Sequence, residues 1–459
     1  MARVLGVDSS TQSVKVVVRD AESGELIATA SRPHPDGTEV DPQYWYEALT
    51  EAIAEIGGLS HIDAISIAGQ QHGMVALDEN GDVIRPALLW NDTRSSNQAE
   101  YLNHEFPDIH KRVGSKLVAS FTATKLRWLL ENEPENAARV RAVALPHDWL
   151  SWKLSGSKDL ADLFTDRSDA SGTGYFNPSE DTYQLEILKS ALGHTNLILP
   201  KVIGPSAFGF EDSSIRIAAG VGDNAGAALG LGAKVGDLVI SLGTSGTAFL
   251  VTQTGSSDET GQVAGFADAT GNFMPLVCTL NAAKIFASTS EMLGVTFEKF
   301  SELALSAQSG AGGLTFLPHF DGERTPNRPD AKGQILNISH HNFTPSNIAR
   351  ASIEGVIASM AYATQALTNL GHSFDRILLI GGAAQNLAVQ QIASDLFNHE
   401  IIIPQVSEYV ADGAAKQAAW ALSGASTPPH WSTRDEKKIT PSHSASDVRE
   451  RYLDAIEKI

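Results

Sequence analysis

Two short segments, far apart in the chain, share one grammar. They are Val7-Asp8-Ser9-Ser10-Thr11-Gln12-Ser13-Val14-Lys15 and Ile240-Ser241-Leu242-Gly243-Thr244-Ser245-Gly246-Thr247-Ala248. An apolar run precedes each, and another follows, at 16–18 and 249–251. Each predicts a β-hairpin whose turn is built of small and hydroxyl residues. Such turns offer backbone N–H groups and hydroxyls to an anion. Two of them in one chain point to two related domains that grip one polyphosphate from both sides.

The surroundings of the two hairpins also match. Residues 3–8, 14–20 and 26–31 predict three consecutive strands in a meander. Asp41-Pro42 predicts a helix start, with Asp41 as the N-cap and Pro42 in the first turn. Trp45, Leu49, Ile53 and Ile56 then recur at spacings of three and four and make one apolar face. A strand follows at 64–68. Past Gly246 the pattern returns with insertions: strands at 248–252 and 273–279, then a long helix at 346–370 with Ile348, Ser352, Val356 and Met360 on one face. A short buried strand at 377–380 and an alanine-rich helix at 411–423 come next. The expected division is a first domain at 1–232 and a second at 233–425. A tail at 426–459 would comprise a Ser/Thr/Pro/His-rich linker, beginning near 424 and running to 444, and a closing helix with Val448, Tyr452 and Ile456 inward.

Composition removes several functions. The formal charge is −20, from 54 acidic and 34 basic residues. That argues against a nucleic-acid surface and against an anionic membrane as partner. It leaves room for a phosphorylated small molecule, because Gly-rich turns and Mg²⁺ can hold phosphates inside an acidic protein. The single cysteine, Cys278, rules out an intrachain disulfide and a Cys-based zinc site, and its apolar neighbours predict a buried structural thiol. The first residues do not read as a signal peptide, and no apolar run reaches the roughly 18 residues of a membrane span. A cytoplasmic location is the expectation.

Several positions carry candidate chemistry, each with a plainer alternative. Asp8 ends the first strand and is placed to hold Mg²⁺ through water, or to cap its own turn. Lys15 lies in a valine-rich strand; it is a cation for a phosphate, or the solvent side of an edge strand. Asp223, in Gly222-Asp223-Asn224, opens a helix after an apolar strand. It reads as an N-cap and equally as an ionised general base, since a helix N-terminus favours the carboxylate. Gly381-Gly382-Ala383-Ala384-Gln385-Asn386 follows a buried strand and allows a ring or ribose close to the backbone, or is simply a tight turn. Gln70, Gln71 and His72 end another strand and suit polyol hydroxyls. Trp90-Asn91-Asp92-Thr93-Arg94 suits one wall of a sugar pocket. His104, His110, His340 and His341 lack metal-ligand spacing and read as surface residues. Neither a Gly-x4-Gly-Lys-Ser/Thr loop nor an early Gly-x-Gly-x-x-Gly is present.

In this order the segments resemble those of the FGGY carbohydrate kinases. Asp8 to Lys15 resembles the first phosphate motif, and residues 120–128 the first signature. Gly222-Asp223-Asn224 is similar to the catalytic segment, Ser241 to Gly246 to the second phosphate motif, residues 333–354 to the second signature, and Gly381-Gly382-Ala383 to the adenosine motif. The stretch Phe316-Leu317-Pro318-His319-Phe320-Asp321-Gly322-Glu323-Arg324-Thr325-Pro326 narrows the resemblance toward kinases of pentuloses. Ser10 and Asn337 stand where the family usually has glycine, and Gln71 where methionine is common.

The resemblance implies an α/β fold of two RNase-H-like domains, of the actin-like ATPase superfamily, with a nucleotide and sugar cleft between them. It implies transfer of the ATP γ-phosphoryl group to O5 of D-xylulose. Asp223 would be the base and Asp8 the holder of hydrated Mg²⁺. Gln71, His72, Asp223 and Asn224 would meet the sugar. Thr11, Gln12, Lys15, Gly243, Thr244 and Ser245 would meet the phosphates, and Gly381, Gly382 and Asn386 the adenosine. A homodimer is the family habit. The competing expectations are a kinase of L-xylulose, D-ribulose or a pentitol, and a non-catalytic actin-like protein that uses ATP as a clamp.

Overall fold

The structure, a computed structural model, describes residues 2–431 and 436–458. Met1 of the first expected domain, residues 432–435 of the expected linker and Ile459 of the closing helix lie outside the described residues. The chain divides into two compact units. One comprises Met1–Ala233, Gln253–Met274 and Ser407–Ser432; the other comprises Lys234–Thr252, Pro275–Val406 and Thr433–Ile459.

The first unit is built on a mixed sheet of strands β1 (Arg3–Ser9), β2 (Ser13–Asp20), β3 (Leu26–Pro33), β4 (Ala64–Gly69), β5 (Phe208–Glu211), β6 (Arg216–Ala218) and β7 (Val221–Gly222). They run in the order β5-β6-β4-β1-β2-β3, with β7 beside β4. The meander pairs antiparallel, and β1 lies parallel to β4. Alternation along the strands explains the two covers. Leu5, Val7, Val14, Val16 and Val18 pack with Trp45 and Leu49 of the helix Pro42–Glu55. Val4, Val17 and Ala64 pack with Ala411, Ala415 and Ala418 of the helix Tyr409–Ser423. Full burial of each such valine or leucine contributes about 1.5–3 kcal/mol. Asp41 caps the Pro42–Glu55 helix by accepting the Gln43 N–H at 2.9 Å.

The second unit repeats this plan. Its strands are β8 (Asp237–Leu242), β9 (Gly246–Leu250), β10 (Phe273–Thr279), β11 (Arg376–Ile380), β12 (Ile401–Ile403) and β13 (Lys437–Ile439), in the order β10-β9-β8-β11-β12-β13. β8 and β9 form the antiparallel hairpin, β9 pairs antiparallel with β10, and β8 lies parallel to β11. The helix Pro345–Asn369 buries Ile348, Ser352, Val356 and Met360, and Ser446–Ile456 buries Val448, Tyr452 and Ile456.

Several expectations need correction. The helix Tyr409–Ser423 and residues 253–274 lie within the expected span 233–425 yet pack into the first compact unit, whose bound at Met274 falls inside β10. The helix closes the open face of the first sheet, which sequence order hides. Lys437–Ile439 is no linker: it pairs antiparallel with β12. Its lysines are exposed on an outer strand, where charge deters further pairing, so the segment reads as polar in sequence. His110 is buried, and Cys278 on β10 is only half-buried. Asn337 adopts a left-handed backbone (φ 62°), a conformation that asparagine tolerates in place of glycine. Among the described residues, no helix is long and apolar enough to cross a membrane.

Candidate active site

In the first unit three parallel strand ends finish side by side. Ser9 of β1 is in register with Gly69 of β4, and Gly69 with Gly222 of β7. Asp8, Gln70-Gln71-His72 and Asp223-Asn224 therefore leave one edge of the sheet together. Carboxyl ends of parallel strands are where open α/β sheets collect their ligands.

Asp223 is the first residue of the helix Asp223–Leu231, and Gly222 takes the cap position, so Asp223 is not the N-cap itself. It accepts the Asn224 backbone N–H at 2.7 Å and the Asn224 Nδ2 at 2.9 Å. Asp223 keeps some contact with solvent, yet the atoms crowded round its carboxylate push its pKa up to about 6. Asp8 is buried. Desolvation pushes its pKa up to about 7, with the Asp223 carboxylate adding to the rise and the Ser10 hydroxyl opposing it. Ser10, the departure from glycine, donates that hydroxyl to Asp8 at 2.5 Å.

The hairpin turn after Asp8 has its carbonyls drawn away. His34 donates its N–H to the Gln12 carbonyl at 2.8 Å, and its Nδ1 lies 2.8 Å from the Ser10 carbonyl. Thr11 accepts the Trp90 indole N–H at 2.8 Å. Lys15 faces Asp8 across the hairpin in register, but its ammonium lies 2.6 Å from Glu408. β2 lies between β1 and β3, so the edge-strand alternative for Lys15 does not hold. The Lys15–Glu408 pair is exposed enough to be weak, and a phosphate can compete for the ammonium.

Gln71 is buried and lies against the start of the Asp223 helix. A Cβ on Gly222 would come within 2.8 Å of its Nε2 and would push the amide aside. Gln71 Nε2 also donates to the Ser168 carbonyl at 3.2 Å. His72 has a left-handed backbone (φ 69°) and sits with its Nδ1 2.6 Å from the Gly172 carbonyl. Its own carbonyl accepts from Thr122 Oγ1 at 3.0 Å and from the buried Lys125 at 3.3 Å. Burial pulls the Lys125 pKa down to about 7. Asp92 and Arg94, expected in the pocket wall, are instead engaged with each other at 2.9 Å, and Arg94 with Glu39 at 2.7 Å.

The second unit shows the same arrangement. Ser241 of β8 is in register with Ile380 of β11, so the turns at 243–245 and 381–386 leave neighbouring strand ends. The carbonyls of Gly243 and Thr244 accept N–H groups of Ala283 and Ala282 at 2.9 and 3.3 Å. Gly381 has φ 93°, and a Cβ there would lie 2.6 Å from the Leu242 carbonyl oxygen; around Gly382 that direction is open. Asn386 caps the helix Leu387–Phe397 through its Oδ1, which accepts the Ala388 N–H at 2.9 Å. That oxygen also accepts from Ser301, so it is occupied with structure. Glu323 is buried and accepts the Leu280 N–H at 2.6 Å and Asn281 Nδ2 at 3.0 Å. It thereby fixes the segment that holds the Gly243-Thr244 turn.

Sequence reasoning missed the segment 165–173, which supports Gln71, His72 and Gly222 at once. Its signal was slight: Asp166 followed three residues later by Asp169, the spacing of a helix start. Asp166 does cap the short helix Arg167–Ala170.

Known proteins share the sequence pattern and the fold of this chain. The pattern of the FGGY family of carbohydrate kinases, N-terminal domain, matches residues 3–233, and that of the C-terminal domain matches 238–422. The chain is 42% identical to a xylulose kinase of Streptomyces rubiginosus, covering 99% of this chain and 95% of the relative. A solved xylulose kinase from Bifidobacterium adolescentis superposes with a TM-score of 0.91 at 42% identity, covering 99% of both chains. A Plasmodium falciparum glycerol kinase, solved with ADP, shares the fold at TM-score 0.84 and 19% identity, covering 100% of this chain and 98% of that one.

Proposed function

The chain belongs to the FGGY family of carbohydrate kinases, and from that premise we propose that it transfers the terminal phosphoryl group of ATP to O5 of D-xylulose. The products are D-xylulose 5-phosphate and ADP. The relatives named xylulose kinase support the choice of sugar. The observation that carries the reaction type is Asp223: a carboxylate with its pKa raised to about 6, at a strand end shared with Asp8 and beside Gln71.

A sugar hydroxyl is a weak nucleophile at neutral pH. Asp223 accepts its proton as the oxygen attacks phosphorus, a contribution of about 10² to 10⁴-fold in rate. Gln71, His72 and Asn224 orient the sugar so that O5 faces the phosphate. Asp8 would hold Mg²⁺. Its burial and its repulsion with Asp223 make a cation welcome there, and an all-oxygen site suits this metal. When bound, Mg²⁺ supplies charge neutralisation on the phosphates. Thr11, Gln12, Lys15, Gly243, Thr244 and Ser245 line the phosphates. Gly381, Gly382 and Asn386 face the adenosine, and the open side of Gly382 leaves it room.

The test is a coupled ADP-release assay with Mg-ATP against D-xylulose, D-ribulose, L-xylulose, xylitol and glycerol, with a no-sugar control. D-xylulose is expected to give the highest kcat/KM. Asp223→Ala is expected to lower kcat by about 10² to 10⁴-fold. Preference for another acceptor overturns the sugar assignment, and near wild-type turnover by Asp223→Ala overturns the base.

A further inference from the structure

Behind the strand ends of the first unit lies a cluster the reaction does not use. His147, at the start of the helix Pro146–Ser155, is fully buried among three carboxylates. Its Nε2 lies 3.3 Å from Asp166 Oδ1 and 3.4 Å from Asp169 Oδ2, and its Nδ1 lies 3.2 Å from Asp148 Oδ1. Asp148, Asp166 and Asp169 are all buried too, and neither oxygen of Asp169 has a hydrogen-bond partner. His147 also packs under the site's backbone: a Cβ on Gly69 would lie 3.0 Å from its Cβ and backbone nitrogen, and one on Gly220 would lie 2.8 Å from its ring Nδ1.

Two of the carboxylates opposite His147, Asp166 and Asp169, belong to the segment that supports the sugar-facing residues. Ser168 Oγ accepts the Gly222 N–H at 3.1 Å, immediately before Asp223. The Ser168 carbonyl accepts from Gln71, and the Gly172 carbonyl meets the His72 ring. Asp166 holds the turn by accepting the Ser168 and Asp169 N–H groups at 2.7 and 3.0 Å. One buried cation therefore faces the two carboxylates whose segment sets three site residues.

We propose that His147 is a positioning residue: as an imidazolium it holds the 166–172 segment against the strand ends and so aligns Asp223, Gln71 and His72 for the sugar. Its surroundings favour the charge. Burial alone would lower the His147 pKa, but Asp148, Asp169 and Asp166 outweigh it and raise it to about 10. Burial in turn drives the Asp169 pKa well above the carboxylate range, and the His147 charge opposes that rise. At 3.2–3.4 Å the ring nitrogens lie within ion-pair range of all three carboxylates. The inference deepens the kinase reading above and rests on it for the identity of the sugar.

The experiment compares wild type with His147→Gln, His147→Lys and Ser168→Ala. Kinetics are measured with Mg-ATP and whichever sugar of the panel the wild type prefers. His147→Gln is expected to lower kcat/KM for the sugar about 10²-fold, the scale of a small misplacement, with KM for ATP changed less than about twofold. His147→Lys, which keeps the cation, recovers most of that loss. Ser168→Ala removes only the bond to Gly222 and lowers sugar kcat/KM in a chain that still folds. Amide hydrogen exchange without any ligand is the second readout. It is expected to speed up at 166–173 and 220–224 in His147→Gln and to slow again in His147→Lys. Wild-type exchange in His147→Gln, equal losses for sugar and ATP, or a lysine variant no better than glutamine overturns the proposal. A wild type that prefers another sugar overturns the D-xylulose assignment alone, since the exchange and the comparison of variants do not depend on it.

Discussion

At the residue scale the site is held in an energetically uncomfortable state. Asp8 has a folded-state pKa of about 7, chiefly through desolvation, against about 3.9 in an unfolded chain. Between those values the folded protein binds more protons than the unfolded one, so this group's contribution to stability is present below about pH 4 and is lost as pH rises through about 7. Asp8→Asn is therefore expected to raise Tm of the cation-free protein at pH 8, with the difference vanishing at pH 4. Mg-ATP should stabilise wild type more than the variant. Thermal melts with EDTA and with Mg-ATP check both points. The glycines of the second unit give a matched pair. Gly381→Ala places a methyl 2.6 Å from the Leu242 carbonyl at φ 93° and should lower Tm. Gly382→Ala meets no neighbour, so Tm should hold while KM for ATP rises.

At the element scale the decisive contact is between two helices of the first unit. A Cβ on Gly413 would lie 1.9 Å from the Gly226 carbonyl oxygen, and one on Gly230 would lie 2.0 Å from that of Tyr409. The helix that begins with Asp223 thus lies backbone to backbone on Tyr409–Ser423. Gly413→Ala is expected to cost about 1–3 kcal/mol or more, because backbone has to move. It should lower kcat as well, since the shifted helix carries the base. Calorimetry and the ADP-release assay check the two effects. Glu323 acts in the second unit much as Ser168 does in the first, fixing a turn from behind.

At the scale of the whole molecule, a unit is not a stretch of sequence. The first sheet is covered on one face by Pro42–Glu55 and on the other by a helix that arrives only at Tyr409. A fragment of residues 1–233 lacks that second cover and exposes Val4, Val17 and Ala64. It is expected to aggregate or to stay loosely packed, whereas the same fragment joined by a flexible linker to residues 407–431 should show a cooperative melt. Circular dichroism and size-exclusion chromatography of the two fragments decide it.

Local pattern was enough for much of this protein. The two hairpins were legible because hydroxyl-rich turns between apolar strands repeat, and the helix at Pro42 because Asp41, Pro42 and the Trp45-Leu49-Ile53 spacing agree. Asp8, Asp223 and the Gly381-Gly382 turn were legible because each directly follows an apolar strand, which is a statement about neighbours in sequence. What depended on neighbours in space was not. Nothing around His147 says that three carboxylates converge on it, and nothing in the alanines of 411–421 says which sheet they cover. Lys437 and Lys438 read as solvent until a strand partner is found for them. Residue spacing determines which groups share a face or a turn. Which faces meet is decided by burial of apolar area and pairing of buried charge, and those exist only once the chain has closed on itself.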